Sequence, residues 1–236
     1  MDSKRVNQEI RAVVRPALKA RGFSVFTERT AWRHAPGRIH VVNFQSFNDY
    51  LATGVGCTTF SFALNLGQWL TCVPPDDSRI ASRKGLLAPQ EYHCHLRLHP
   101  HRSIDQRELE RRDIWYIDAN GSYLASAVKD ARDVILGAGL AWFDRWSSDA
   151  AVDALLRESA SVATDGTDVG GGLGSPARDA VHGYLLRSMG RIDEARGKLS
   201  SALERLRAIE ASVRSPRAKA APSAFGRLAA DVADLA

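Results

Sequence analysis

The sequence predicts an α+β protein: an N-terminal helix, an antiparallel sheet of about five strands, and then C-terminal helices. Three observations support this. Apolar residues recur at helical spacing near the N-terminus, they alternate with polar residues in several later segments, and helical spacing returns in the second half of the chain. Alternation with a period of two is typical of half-buried strands, which usually pair antiparallel.

The first helix is predicted from a single apolar stripe. Its members are spaced three or four residues apart, namely Val6, Ile10, Val13, Val14, Ala17 and Leu18. Gly22 is expected to end the helix, because glycine tolerates the left-handed conformation found after helices. Pro16 lacks a backbone donor, so we expect the helix to kink or restart there.

The sheet is predicted from segments rich in strand-forming residues, which are residues 23–29, 31–34, 39–47, 58–66 and 92–98. The first two segments form a hairpin-like pair. In the fourth segment the even-numbered residues share one face, and in the fifth Cys94, Leu96 and Leu98 do so. We expect these residues, with Val42 and Phe44 of the third segment, to form the core face. The prolines that follow Val73 indicate a loop.

The rest of the chain predicts helices in two groups. Residues 124–136 carry one helical stripe, and Ser147 or Ser148 can cap a further helix that runs through Arg157. Residues 164–175 hold five glycines, a composition typical of a flexible linker. We therefore expect an α+β sheet domain, a linker, and a small helical hairpin with a terminal helix, over residues 1–163, 164–175 and 176–236.

Composition restricts the class of protein. The charged fraction of 25% and the apolar fraction of 44% are ordinary for a soluble globular chain. No stretch approaches the roughly 18 apolar residues of a membrane span, and the N-terminus has no apolar signal-peptide core. The three cysteines form no Cys-x-x-Cys pair, so we expect no disulfides and a location in a reducing cytoplasm.

Six short motifs follow one another along the first two thirds of the chain. They are Leu18-Lys19 with Gly22-Phe23, residues 41–46 (Val-Val-Asn-Phe-Gln-Ser), Asn65-Leu66-Gly67, residues 94–97 (Cys-His-Leu-Arg), Asp113-Ile114-Trp115, and residues 139–143 (Gly-Leu-Ala-Trp-Phe). In this order they resemble the domain-of-unknown-function family DUF4304, over about residues 3–160. The resemblance implies the α+β fold, and it brings no established reaction.

A second resemblance lies in the C-terminal part. Residues 178–206 are similar to one tetratricopeptide unit, through Gly183, Gly190, Ala195, Leu199 and Ala202. The resemblance implies two helices that approach closely at small residues. About three units are normally needed for an independent solenoid. The hairpin is therefore expected to pack on the rest of the chain or on another subunit, which leaves a homo-oligomer through the C-terminal helices open.

A candidate ligand-binding face follows from the predicted strands. If the core face is assigned as above, polar side chains from three strands fall on the opposite face, together with the apolar Ile39, Val41 and Phe47. Such a face could hydrogen-bond a peptide, a carboxylate or a phosphate, or it could be merely solvated. The candidate residues are Asn43, Gln45, Asn65, His93, His95, Arg97 and Trp115, with Trp115 as a wall.

Four histidines and Cys94 stand close together between residues 93 and 101, and imidazole and thiolate groups suit zinc. His93 and His95 would point the same way along a strand, whereas Cys94 would point to the other face. Pro100 interrupts the strand before His101. We therefore predict no metal and no cofactor, and the absence of a Gly-x-Ser-x-Gly elbow or a phosphate loop gives no catalytic residue to name.

The leading hypothesis is a non-catalytic protein- or peptide-binding accessory protein, immunity-like or regulatory, with a protein partner. A metal-dependent or hydrolytic enzyme that uses residues 93–101 is the first alternative. The second alternative is a nucleic-acid binder that uses residues 187–219, where nine basic residues stand against four acidic ones.

Overall fold

The computed structural model describes residues 1–75, 80–158, 162–212 and 222–235, and for residues 222–226 it describes the main chain alone. The chain forms two compact units. The first contains Met1–Trp69 and Ser82–Arg145, and the second contains Leu70–Ala81 and Trp146–Ala236. This division falls at residue 145 rather than at residue 163. The predicted domain ranges, as independently folding parts, remain a prediction.

The first unit contains most of the strands. In chain order its elements are α1 (Ser3–Lys19), β1 (Val25–Phe26), β2 (Thr30–Ala35), β3 (Arg38–Ser46), α2 (Asp49–Val55), β4 (Phe62–Leu70), β5 (Ser82–Arg83), β6 (Leu86–Leu87), β7 (Leu96–Leu98), β8 (Ile114–Trp115), α3 (Leu124–Val134) and α4 (Leu140–Arg145). The second unit contains α5 (Asp149–Arg157), α6 (Pro176–Ser188), α7 (Ile192–Ser212) and α8 (Pro222–Ala233).

The main sheet has the order β1-β2-β3-β4-β7, and β8 pairs with the other end of β4. The β1–β2, β2–β3, β4–β7 and β4–β8 pairs are antiparallel. Strands β5 and β6 form a separate two-stranded hairpin. The predicted fold class is therefore confirmed: an N-terminal helix, an antiparallel sheet, and C-terminal helices.

Two strands begin later than the alternation predicts. Strand β4 starts at Phe62, because Thr58 and Ser61 form a hydroxyl-bonded turn in which the Phe60 amide donates to Thr58 Oγ1 at 3.2 Å. Strand β7 starts at Leu96, since Glu91–His93 is a 3₁₀ turn. Local side-chain bonds thus replace strand geometry at both starts.

Helix α1 is continuous through Pro16, so the predicted restart is wrong. Pro16 and Ala12 are both exposed, which lets water bond the carbonyl that the proline leaves without a donor. The apolar stripe is buried as expected, at Val6, Ile10, Val14 and Leu18. Gly22 follows the helix with φ of +85°, in the left-handed region.

One sheet face is the core beneath the helices. Phe62, Leu64 and Leu66 of β4 are fully buried on this face, as the alternation predicts. The Phe62 ring lies 5.2 Å from that of Phe44 and stacks at 5.8 Å on Trp115. A side chain at Gly139 would meet Leu66, so the residue between α3 and α4 must be small for the helices to lie this close.

His40 lies on the same core face and is only 4% exposed. Its Nδ1 accepts a hydrogen bond from Arg33 Nε at 3.0 Å, and its ring lies 4.5 Å from that of Phe143. Burial, followed by the charges of Arg33 and Arg38, lowers the pKa of His40 from 6.5 to about 3. The native protein therefore holds this imidazole neutral.

The low pKa of His40 predicts a loss of stability in mild acid. Between the two pKa values the unfolded chain binds a proton that the native chain excludes, so the free energy of unfolding falls as the pH drops below 6.5. We expect His40 to contribute about 2 kcal/mol of loss between neutral pH and about pH 5. Urea denaturation of wild type and His40→Gln across this pH range measures the loss. Glutamine is chosen because it keeps a hydrogen-bond acceptor for Arg33.

His40→Gln should therefore show a shallower acid decline than wild type. His101→Gln is the matched control, because His101 is exposed and its replacement should leave the decline unchanged. Parallel declines in wild type and His40→Gln would show that His40 is not the group that is kept neutral.

The second unit contains the predicted helix pair. Helices α6 and α7 run antiparallel: Asp179, near the start of α6, accepts from Ser201 Oγ at 3.4 Å and lies 4.0 Å from Arg205 Nε, while Gly183, one turn further along α6, faces the earlier Leu199. The helix–turn–helix is thus present. Its assignment as a tetratricopeptide unit remains a prediction.

The glycine-rich segment is not the unburied linker that its composition predicts. Thr167 is fully buried and Val169 is 4% exposed. Trp146 Nε1 donates to Thr167 Oγ1 at 3.2 Å, and Arg178 Nη1 donates to the Gly171 carbonyl at 2.9 Å. The buried side chains of Thr167 and Val169, and the hydrogen bond from the buried Arg178, therefore hold this segment inside the second unit.

Along the described stretches of chain, no helix combines the length and the apolar character that a membrane span requires.

Candidate functional site

The sheet face opposite the helices is apolar along part of its surface. Trp32 and Val41 are paired across β2 and β3 and are both fully buried. Residues 82–95 cover them: Trp32 Nε1 donates to the Pro89 carbonyl at 2.7 Å, and His34 Nε2 donates to the Leu87 carbonyl at 2.7 Å. This cover explains why apolar residues share the face with polar ones.

Cys94 lies on this face, so its predicted place with Leu96 and Leu98 on the core face is wrong. A Cβ atom at Gly67 would stand 2.6 Å from Cys94 Sγ and 3.4 Å from Glu91 Cγ. Gly67 is paired across the sheet with Arg97, which places Cys94 on the Arg97 side. The 3₁₀ turn before Cys94 breaks the alternation on which the prediction depended.

The polar part of the face joins residues from different strands, and we call it the amide cluster: Asn43, Gln45, Asn65 and His99. Asn65 is 4% exposed; its Nδ2 donates to Gln45 Oε1 at 2.8 Å, and its Oδ1 accepts from His99 Nδ1 at 2.9 Å. Asn43 Nδ2 donates to Thr30 Oγ1 at 2.9 Å. Three of the predicted residues are thus brought together by β3 and β4.

The other predicted residues do not converge on the amide cluster. Arg97 lies on the same face, with its Nε 3.8 Å from Glu91 Oε1. The His95 ring lies 4.3 Å from that of Trp69, and burial lowers the pKa of His95 to about 3. His93 Nδ1 accepts a hydrogen bond from the main-chain N–H of Gln90 at 3.1 Å, at the start of the 3₁₀ turn.

Trp115 is not a wall of this face. It is fully buried in the core beneath the helices, and its Nε1 donates to Asp130 Oδ2 at 2.8 Å. The pairing of Trp115 with Phe62 puts it on the core face of the sheet. The prediction was wrong because an aromatic residue with one polar atom suits a buried hydrogen bond as well as a binding surface.

Helix α2 is a surface feature that the sequence reasoning missed. Tyr50 is 85% exposed and Leu51 is 43% exposed, while Ala52 is buried. Asn48 Oδ1 caps the helix by accepting from the Leu51 amide at 2.8 Å, and Gly56 ends it with φ of +78°. This pattern of Asn at the start and Gly at the end was the available signal.

Two of the thiols, those of Cys57 and Cys94, do not have the electrostatics of nucleophiles. Burial raises the pKa of the Cys57 thiol, and burial followed by the Glu91 charge raises the pKa of Cys94 well above its ordinary value. An activated cysteine requires the opposite shift. Among the described residues, no three or more His, Cys, Asp and Glu side chains are grouped so that they could hold a metal ion.

The basic segment of the second unit is paired with acidic groups. Arg191 Nη1 lies 2.6 Å from Asp153 Oδ2, and Lys198 Nζ lies 2.9 Å from Asp179 Oδ1. The segment's basic residues also form the ion pairs Arg187–Asp231, Arg191–Glu194, Arg196–Asp193 and Arg205–Asp179. The pairs with Asp153, Asp179 and Asp231 join different helices, and together the ion pairs offset much of the charge that nucleic acid would need. Residues 213–219 lie outside the described residues.

These features define the class of the first unit. It is an α+β domain in which helices cover one face of an antiparallel sheet and the opposite face carries amide side chains. The model of the family DUF4304, a domain of unknown function, matches residues 14–145, more than half of the chain. The chain belongs to the DUF4304 family. No curated protein and no solved structure matches it. The family match ends at residue 145, where the first unit also ends.

Proposed function

We propose that this chain is a non-catalytic accessory protein that binds a protein or peptide partner through its first unit. The observation that carries the proposal is α2, a capped helix that presents Tyr50 and Leu51 to solvent. Tyrosine is among the residues most enriched where binding energy concentrates in protein interfaces. A large aromatic side chain held on a rigid element can be buried by a partner with little loss of conformational entropy.

The position of α2 supports a surface with both apolar and polar parts. The helix begins three residues after β3 ends, and Gln45 of the amide cluster is exposed near that end. Protein interfaces combine a few apolar anchors with hydrogen-bonding groups around them. Tyr50 and Leu51 would supply the anchors, and Gln45 would supply hydrogen bonds.

The enzyme and nucleic-acid alternatives have weaker support. Burial raises the pKa of the Cys94 thiol and lowers that of His95, so these two residues do not form an activated nucleophile and base. The ion pairs of α6 and α7 account for five basic residues of the segment proposed to bind nucleic acid. We propose an immunity-like or regulatory role in the cytoplasm, a compartment suited to Cys57, Cys72 and Cys94, none of which is in a disulfide.

Tyr50→Ala tests the proposal. We expect the wild-type chain to recover a stoichiometric protein partner from native cells, and Tyr50→Ala to weaken that complex by about 30-fold or more, as truncation of a hot-spot residue does. The affinity is measured by titration with the purified partner. Because Tyr50 is 85% exposed, the melting temperature should stay close to that of wild type.

Tyr92→Ala is the matched control, since Tyr92 is a tyrosine in the first unit that is 67% exposed and lies outside α2. It should bind as wild type does. Equal binding by wild type and Tyr50→Ala would refute α2 as the contact. Recovery of no protein, together with stoichiometric bound metal, would favour the enzyme alternative instead.

A further inference from the structure

Hydrogen bonds within the amide cluster fix the orientation of the Asn43 and Gln45 side-chain amides. Asn43 and Gln45 are two residues apart in β3, so their side chains lie on the same face, with about 7 Å between successive same-face positions. Each amide uses one of its two polar ends inside the protein. The other end is therefore oriented by a bond that the fold already makes.

The two outward ends have opposite character. Gln45 Oε1 accepts from Asn65 Nδ2, which leaves the Gln45 NH₂ group as the outward donor. Asn43 Nδ2 donates to Thr30 Oγ1, which leaves Asn43 Oδ1 as the outward acceptor. The face therefore offers one acceptor and one donor in a fixed order along β3.

We propose that Asn43 and Gln45 read the main chain of an extended, uncharged peptide segment. A peptide N–H would donate to Asn43 Oδ1, and a peptide carbonyl would accept from Gln45 Nε2. N–H and C=O groups alternate along one edge of an extended peptide, so a donor and an acceptor of one segment lie within reach of two side chains whose Cα atoms are about 7 Å apart. This inference rests on the proposed function and specifies the partner's recognised element.

Charge on the face supports an uncharged segment. A carboxylate or phosphate is best bound by several donors, and an ammonium by several acceptors. The two amides of β3 present one of each kind. An ion pair described on this face, between Arg97 and Glu91, balances a cation with an anion.

The supporting residues hold both amides in place before binding. Asn65 is 4% exposed and is itself bonded to His99, while Thr30 is 8% exposed. Rotation of either outward amide would break a bond to a buried partner. Such preorganisation lowers the entropy lost when a ligand binds.

The test uses a displayed library of random, unstructured peptides selected on the full-length chain. We expect enriched peptides without a shared charged residue. Replacing single amides of one enriched peptide by esters removes one N–H at a time, and we expect one or two positions to lose about tenfold in affinity. Ester scanning leaves the protein unchanged, so its result does not depend on whether a variant folds.

Gln45→Glu gives the complementary protein variant, because it keeps the shape and turns the outward donor into an acceptor. We expect it to weaken the same peptide by at least about tenfold. Ser46→Ala is the control, since Ser46 is the exposed neighbour on the other face, and it should bind as wild type does.

Three results would overturn the inference: no enriched peptide, a consensus of acidic or basic residues, or ester scanning without a sensitive position. If any of these occurs while Tyr50→Ala still disrupts a native protein complex, then the proposed function stands and only the reading of a peptide main chain fails. If wild type recovers no protein partner and the library yields no enriched peptide, then the proposed function fails as well.

Discussion

Arg102→Ala is expected to lower the free energy of unfolding of the first unit by about 4 kcal/mol, the largest single-residue loss we predict. Arg102 is 4% exposed, and its guanidinium donates only to main-chain carbonyls. The acceptors are Ile114 at 3.1 Å, Ile104 at 2.8 Å, Gln106 at 2.9 Å and Leu109 at 2.6 Å.

The size of the effect follows from the number of carbonyls that one side chain serves. A buried acceptor without a donor loses about 1–3 kcal/mol, and alanine leaves several without their donor at once. Arg102→Lys should also destabilise, since a single ammonium cannot reproduce the planar fork that reaches separate carbonyls. The residues between β7 and β8 would lose the group that organises them.

Chemical denaturation of Arg102→Ala, Arg102→Lys and Arg107→Ala measures this effect. Arg107 is the matched control from the same loop; its side chain is 92% exposed and lies 3.6 Å from the exposed Asp105. Its replacement should change stability by less than about 0.5 kcal/mol, as exposed ion pairs contribute little. Similar losses for Arg102→Ala and Arg107→Ala would contradict the proposed role of Arg102.

The parts of the fold that were predictable are those with one buried face. The stripe of Val6, Ile10, Val14 and Leu18 indicated α1 because helical periodicity and burial coincide there. Alternation indicated the core face of β4 for the same reason. The family resemblance also proved correct over residues 14–145.

The parts that were not predictable depend on contacts between distant residues. The strand start at Phe62 depends on Thr58, whose hydroxyl also bonds the Ile117 carbonyl at 2.5 Å. The carbonyls that Arg102 collects are visible only once the loop has folded. An isolated arginine in a sequence gives no sign that it is buried.

The candidate site was predictable only where it lies on regular strands. Alternation placed Asn43, Gln45 and Asn65 on one face, and the structure joins Gln45 to Asn65 directly. It could not place His93 or His95, because the segment that covers the face folds back over it through a 3₁₀ turn and two side-chain bonds to carbonyls. Periodicity carries no information about such a cover.

In the second unit, Gly183→Val is expected to lower the free energy of unfolding by about 3 kcal/mol. A Cβ atom at Gly183 would lie 2.6 Å from both Cγ and Cδ2 of Leu199 and 3.2 Å from its main-chain nitrogen. Leu199 is fully buried and cannot move without disturbing α7. Gly197→Val is the matched control, because Gly197 is exposed on α7 and a Cβ atom added there would have nothing within 4 Å.

Comparison of the two glycines separates close helix packing from helix propensity. Valine is a better helix former than glycine, so Gly197→Val should stay within about 0.5 kcal/mol of wild type or stabilise slightly. The loss at Gly183 must therefore come from contact with Leu199. Hydrogen exchange of the α6 and α7 amides, with urea denaturation, measures both variants. A loss at Gly183 no larger than that at Gly197 would show that a small residue at position 183 is not what lets α6 and α7 approach.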